Sequence, residues 1–377
     1  MDFSALHTYL EELADTIVPG LGLKVWVDHR EVFSRAVGWA DTEKKRPSST
    51  DDVYLLWSMT KVVTAVAVLR LVEQGKLSLS DRLDRFYPEF SGLVVERDGK
   101  AEPAGRAPTI RELLTMTAGF TYQVGSENIR RFVGTDADTQ TVIRALAAEP
   151  LAFAPGEHYL YSLCFDVLGA VVEAVSGVSF GEYLHREIFS PLEMADTGFR
   201  LTPAMRARRV PTFRMREDGS VAPTDARPVY QLSNAFEGGG AGLYSTLADY
   251  VKFADALACN GVAYNGYSVL GERLVTEMDR DQLNAVQRDD FHRATQHYGH
   301  GYGYGVSVLL EKEPYPFHCP LGVFGWGGAA GCRTFIDRER RVSLVYVQEV
   351  MAMQTRDGYM AHPHNRILNL VYDGLDK

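Results

Sequence analysis

Residues 57–75 begin Trp57-Ser58-Met59-Thr60-Lys61, continue VVTAVAVLRLVEQ and close on Gly75. A run apolar on nearly every side fits a helix buried between layers better than one lying on a surface, and Gly75 is a natural stop. On such a helix Ser58 stands at the first turn, and Lys61, three residues on, shares its face. The spacing therefore sets a hydroxyl beside an amine in a dry place. A lysine ammonium taken out of water tends to lose its proton, and a neutral amine next to a serine activates it as a nucleophile. A lysine that snorkels to solvent fits poorly with its neighbours Val62, Val63, Ala65 and Val66.

Outward from this helix the pattern is mixed. MDFSALHTYLEELADTIV reads as an amphipathic first helix, and Leu23–Val27 with Glu31–Val37 read as a hairpin about residues 28–30. Helical stretches follow: a short one after Leu77, one opened by the capping box Thr109-Ile110-Arg111-Glu112, Thr139–Glu149, and Asp166–Val175. Residues 93–108 read as a polar connection and 201–232 as an irregular surface excursion. Ser245 is expected to cap a helix over Leu247–Leu257. The last quarter is strand-like at Tyr304–Leu310, Arg333–Asp337 and Val342–Gln348, with a closing helix from Asn365 to Asp373. The expected fold class is thus α+β, with residues 1–75 and 238–377 forming an α/β lobe and 76–237 a mostly helical lobe inserted in it.

Composition narrows the function. The 377 residues are 46% hydrophobic with a formal net charge of -10, enough for a large core and the wrong sign for a nucleic-acid partner. The amino terminus has neither a basic start nor a continuous apolar core, and no stretch reaches the roughly 20 apolar residues of a membrane span. Four widely spaced cysteines, Cys164, Cys259, Cys319 and Cys332, make no CxxC pair and read as reduced thiols of a cytoplasmic protein. His292, His297 and His300 lack an HExxH frame, so no metal is expected, and Glu237–Ser245 lacks the Lys-Ser/Thr ending of a phosphate loop. No cofactor is implied.

A second nucleophile has to be weighed at Gly177-Val178-Ser179-Phe180-Gly181, a GxSxG match. A nucleophile elbow needs a strand before the serine. Here a helix precedes it and Glu182 follows three residues later, so Ser179 reads as a helix N-cap.

Ser58 is the only serine with a lysine three residues on, and Tyr161-Ser162-Leu163 and Trp326-Gly327-Gly328 follow it in order. This ordered set resembles the serine β-lactamase and penicillin-binding protein superfamily, in particular the class C-like branch that contains the family VIII carboxylesterases. TIRELLTMTAGF (109–120), GGGAGLYSTLADYVKFADAL (238–257) and GYGYGV (301–306) extend the likeness over nearly the whole chain. The resemblance implies an antiparallel sheet flanked by helices, a helical lobe, and a reactive serine in the groove between them. It makes Ser58 the nucleophile, Lys61 its proton acceptor and Tyr161 the proton shuttle, with Tyr159 as the alternative shuttle. The backbone N–H groups of Ser58 and Ala329 would form the oxyanion hole.

Departures from the superfamily pattern point to the substrate. The second motif commonly ends in Asn, and the third begins with Lys or His followed by Ser or Thr; here Leu163, Trp326 and Gly327 stand in those places. The groups that would hold a substrate amide and carboxylate are gone, which favours a neutral acyl group. Trp326, Gly327, Gly328, Leu163, Tyr122 and Phe324, with Tyr54, are the expected pocket. The expected activity is hydrolysis of short, uncharged carboxylic esters through an acyl-enzyme on Ser58. Alternatives are acyl transfer from the same intermediate, β-lactamase or D-amino-acid peptidase activity, and a non-enzymatic scaffold, against which the intact Ser58, Lys61 and Tyr161 argue. Small-molecule esters are the expected partners, and the sequence assigns no oligomeric state.

Overall fold

The computed structural model describes residues 1–97, 99–216, 218–224, 231–313, 315–351 and 363–377. Among the described residues the longest helices are α1 (Ser4–Thr16), α2 (Thr60–Glu73), α3 (Cys164–Ser176), α4 (Leu247–Ala258) and α5 (Pro363–Leu375). In α2 every residue from Thr60 to Leu71 is buried, as its unbroken apolar run requires. In α1, by contrast, Leu6, Leu10 and Leu13 form one buried stripe.

The main sheet joins the two ends of the chain. Its strands are β1 (Gly20–Val27), β2 (Arg30–Asp41), β3 (Arg46–Pro47), β4 (His300–Tyr302), β5 (Ser307–Leu309), β6 (Phe324–Gly325), β7 (Arg333–Asp337) and β8 (Val342–Val347). The order is β4-β5-β6-β7-β8-β1-β2-β3 with every neighbour antiparallel. The seam is the β1–β8 pair, where Leu23 faces Tyr346 and Val25 faces Leu344. Alternate residues of β1 point to opposite faces. On one face a Cβ at Gly22 would press into the Leu247 side chain of α4. On the other, Phe33 of β2 packs edge-on to Phe3 and against His7 of α1, which packs in turn on α5.

Several local expectations change. Residues 93–108 contain a hairpin, Val94–Arg97 with Lys100–Pro103. The Thr109 box forms, with the Glu112 carboxylate accepting from the Thr109 N–H at 2.8 Å. Its helix is short, Ile110–Leu114, and Met116 then takes a left-handed φ of 58°. The segment from 201 holds a helix, Pro203–Arg208, and strands Phe213–Met215 and Val221–Pro223; part of it, 225–230, lies outside the described residues. The cap of α4 is Thr246, whose hydroxyl accepts from the Asp249 N–H at 3.1 Å, and not Ser245, which pairs in a short strand with Tyr54. Ser179 does cap its helix, accepting from the Glu182 N–H at 3.2 Å.

Candidate active site

Ser58 lies one step earlier than the first turn of α2. It sits in a 3₁₀ turn, Trp57–Met59, that runs into the helix. Trp57 immediately before it has φ 49°, a backbone region costly for a bulky residue and held only when its surroundings fix it. The anchor is a buried carboxylate. Glu349 accepts from the Trp57 indole Nε1 at 2.7 Å, from the Leu55 N–H at 3.2 Å and from the Thr212 hydroxyl at 3.2 Å. Burial pushes the Glu349 carboxyl up to about 8 against these donors.

Lys61 is fully buried. Its Nζ donates to Ser58 Oγ at 3.1 Å and to the Gly240 carbonyl at 2.6 Å, and stands 4.7 Å from the centre of the Tyr161 ring. The other side of Gly240 is equally engaged, because its N–H donates to Asp166 Oδ1 at 3.2 Å. One residue's backbone therefore links a buried carboxylate of α3 to the lysine of α2. Burial raises the Asp166 carboxyl to about 6, against the pull of the hydrogen bond it accepts from the Gly240 N–H. A Cβ at Gly239 would strike the Phe165 carbonyl and one at Gly240 would strike Asp166 Oδ2. The Gly-rich run is thus a strip of backbone laid between two helices.

Tyr161 is half-buried at the entry to α3. Its phenol oxygen accepts a hydrogen bond from Trp326 Nε1 at 3.0 Å, and Tyr122 leans on its ring with centroids 5.8 Å apart. Trp326, expected as an apolar wall, is therefore a donor to the tyrosine. Tyr159 is core: it packs edge-on to Phe291 and Tyr302, and burial lifts its phenol well above the ordinary range. It is not placed to replace Tyr161.

The third motif closes the site. Gly328 approaches so near the segment entering Ser58 that a Cβ would meet the Leu56 carbonyl. Its N–H donates to the Cys332 carbonyl at 2.7 Å, and the Ala330 carbonyl accepts from the Val350 N–H at 3.0 Å, so exposed Ala329 is pinned on both sides. Behind Gly327 lies the buried Arg333, over the Phe335 ring and within 3.4 Å of the Ser307 hydroxyl.

Three expected wall residues belong to the core. Leu163, Phe324 and Tyr54 are 2%, 1% and 1% exposed, because Leu163 turns inward to start α3, Phe324 is clamped between β5 and β7, and Tyr54 pairs in its own short sheet. Asp166 and Glu349 were not singled out from sequence. Asp166 carries one usable signal, an acid among apolar helix positions five residues after Tyr161; Glu349 carries none.

The fold and its serine–lysine pair define a β-lactamase/transpeptidase-like protein. More particularly, the chain belongs to the Beta-lactamase family, whose model matches residues 7–362. Esterase EstB of Burkholderia gladioli is 32% identical over 342 residues, covering 84% of this chain and 82% of its own, and the likeness fits the family VIII esterase branch. Two solved structures share the fold. EstCE1, described as a hydrolase with promiscuous acyltransferase activity, aligns with TM-score 0.81, 23% identity and 98% coverage of both chains. Simvastatin synthase (LovD) from Aspergillus terreus aligns with TM-score 0.81 and 21% identity, covering 99% of this chain and 98% of its own. Among the described residues, no single helix is long and apolar enough to cross a membrane.

Proposed function

We propose that the protein is a serine carboxylesterase acting on short, uncharged esters, working in a groove between the sheet lobe (1–75 with 238–377) and the helical lobe (76–237). The observation that carries this reading is the fully buried Lys61 amine 3.1 Å from Ser58 Oγ. Ser58 Oγ attacks the ester carbonyl carbon as Lys61 takes its proton, and the backbone N–H groups of Ser58 and Ala329 hold the developing oxyanion. Each such donor is worth on the order of 3 kcal/mol. The proton passes through Tyr161 to the leaving alcohol, the C–O bond breaks, and Ser58 keeps the acyl group. Water then attacks the acyl-enzyme, giving up its proton along the same path, and Ser58 is released with the carboxylic acid.

The choice of a neutral acyl group rests on Trp326 and Gly327 standing where a cation and a hydroxyl would bind a carboxylate. The neighbouring cation, Arg333, is buried and faces Ser307 and Phe335. A cytoplasmic location is part of the reading, supported by four buried, free cysteines. Mixing the protein with a p-nitrophenyl ester should release nitrophenolate in a burst equal to the enzyme concentration when deacylation is slow. Ser58→Ala should remove burst and turnover; a Ser58→Ala protein that still turns over would end the proposal.

A second reading, acyl transfer, draws on the dual activity described for EstCE1. Rising concentrations of a panel of alcohols should divert acyl groups from acid to ester if it holds, and unchanged hydrolysis throughout would exclude it.

A further inference from the structure

The turn between β1 and β2 carries a side-chain cluster outside the catalytic groove. Asp28 and His29 form this turn with φ of 48° and 67°, and Cys259 follows the last residue of α4. One donor atom from each of Asp28, His29 and Cys259 lies within 4.8 Å of the others. Asp28 and His29 are neighbours in sequence but Cys259 lies far from them, so no local spacing signals a metal site.

Two features distinguish this corner from a chance meeting of polar groups. First, His29 is held by a carboxylate with no solvent exposure: Asp255 Oδ2 accepts from ring Nδ1 at 2.7 Å, and Asp255 Oδ1 accepts from the His29 N–H at 3.2 Å. A histidine whose Nδ1–H is committed to a carboxylate presents Nε2 as an oriented lone pair, the arrangement that supports metal-bound imidazoles. Second, the cluster offers thiol sulfur, imidazole nitrogen and carboxylate oxygen together, the donor set of zinc-class cations and not of calcium or magnesium. Charge agrees. Asp28 and Asp255 face the site, and Arg341 occupies only one oxygen of Asp28, at 2.8 Å.

We propose that Asp28, His29 and Cys259 form a binding site for a zinc-class divalent cation, with Asp255 orienting His29. On binding, the Cys259 thiol gives its proton to solvent and the thiolate ligates. The cation would pin the hairpin turn to the end of α4, so it should also raise the unfolding temperature, because only the folded chain assembles the three donors. This site is independent of the chemistry at Ser58.

The test is a Co²⁺ titration of the full-length protein after treatment with a chelator. The expected result is a near-ultraviolet thiolate-to-cobalt absorption that saturates at one equivalent and is bleached by Zn²⁺. His29→Ala and Cys259→Ser should each weaken binding by at least about tenfold, with unfolding followed by circular dichroism to show that both variants fold. Absence of the thiolate band in the wild type, or a band that survives in both variants, would overturn the assignment. If one variant fails to fold, the other still decides.

Discussion

At the scale of single residues, the hydrogen bond from Trp326 to the Tyr161 oxygen is the feature that most changes the chemistry. An indole N–H aimed at a phenol oxygen stabilises negative charge there, so under the proposed mechanism Trp326 would help Tyr161 give up its proton. Trp326→Phe keeps the ring and removes the donor; kcat should fall about tenfold, the worth of one hydrogen bond to a charged group, with KM for a small ester little changed. Glu349 lends itself to a pH test. Its folded-state carboxyl lies at about 8 against an ordinary 4.5, so between those values the folded chain holds more protons than the unfolded one. Stability from this group is full at low pH and is lost as pH rises through about 8. Glu349→Gln should flatten that part of the stability curve in pH-dependent urea unfolding. An unchanged slope would show that Glu349 is ionised throughout.

At the scale of elements, the Gly238-Gly239-Gly240 strip decides how closely α2 and α3 approach. Gly240→Ala forces a methyl against Asp166 and should destabilise the protein by about 1–3 kcal/mol, as overpacking does. It should also lower kcat, because the Gly240 carbonyl that Lys61 grips would move; thermal unfolding and initial rates on one preparation check both. Much at this scale was legible in sequence. The unbroken apolar run gave α2, the Ser-x-x-Lys spacing gave the Ser58–Lys61 contact, and Glu182 three residues after Ser179 gave the cap that removes the GxSxG rival. The strip's role was not legible, since glycines signal backbone freedom and do not name the distant atoms they must clear. Leu163 and Phe324 differ from expectation for a related reason: a place in a motif, or beside one, does not fix the direction of a side chain, which the packing of α3 and of β5–β7 sets.

At the scale of the whole molecule, the fold brings the two ends of the chain into one antiparallel sheet through the β1–β8 seam and sets the Ser58 turn against the third motif. Hairpins within each end could be read from alternation and turns. Pairing between β1 and β8 could not, because strands hundreds of residues apart share no local signal; the order of elements places both ends in one lobe without saying which strands meet. Glu349 belongs to the same class, reaching Leu55 and Trp57 across nearly the full chain. The proposed reaction rests on one atom, Ser58 Oγ. Its most direct test is to quench the protein during turnover of a p-nitrophenyl ester and locate the acyl group by peptide mass spectrometry. The expected result is a single acyl adduct on the peptide containing Ser58, missing from Ser58→Ala; an adduct on Ser179 or any other residue, with Ser58 unmodified, would contradict it.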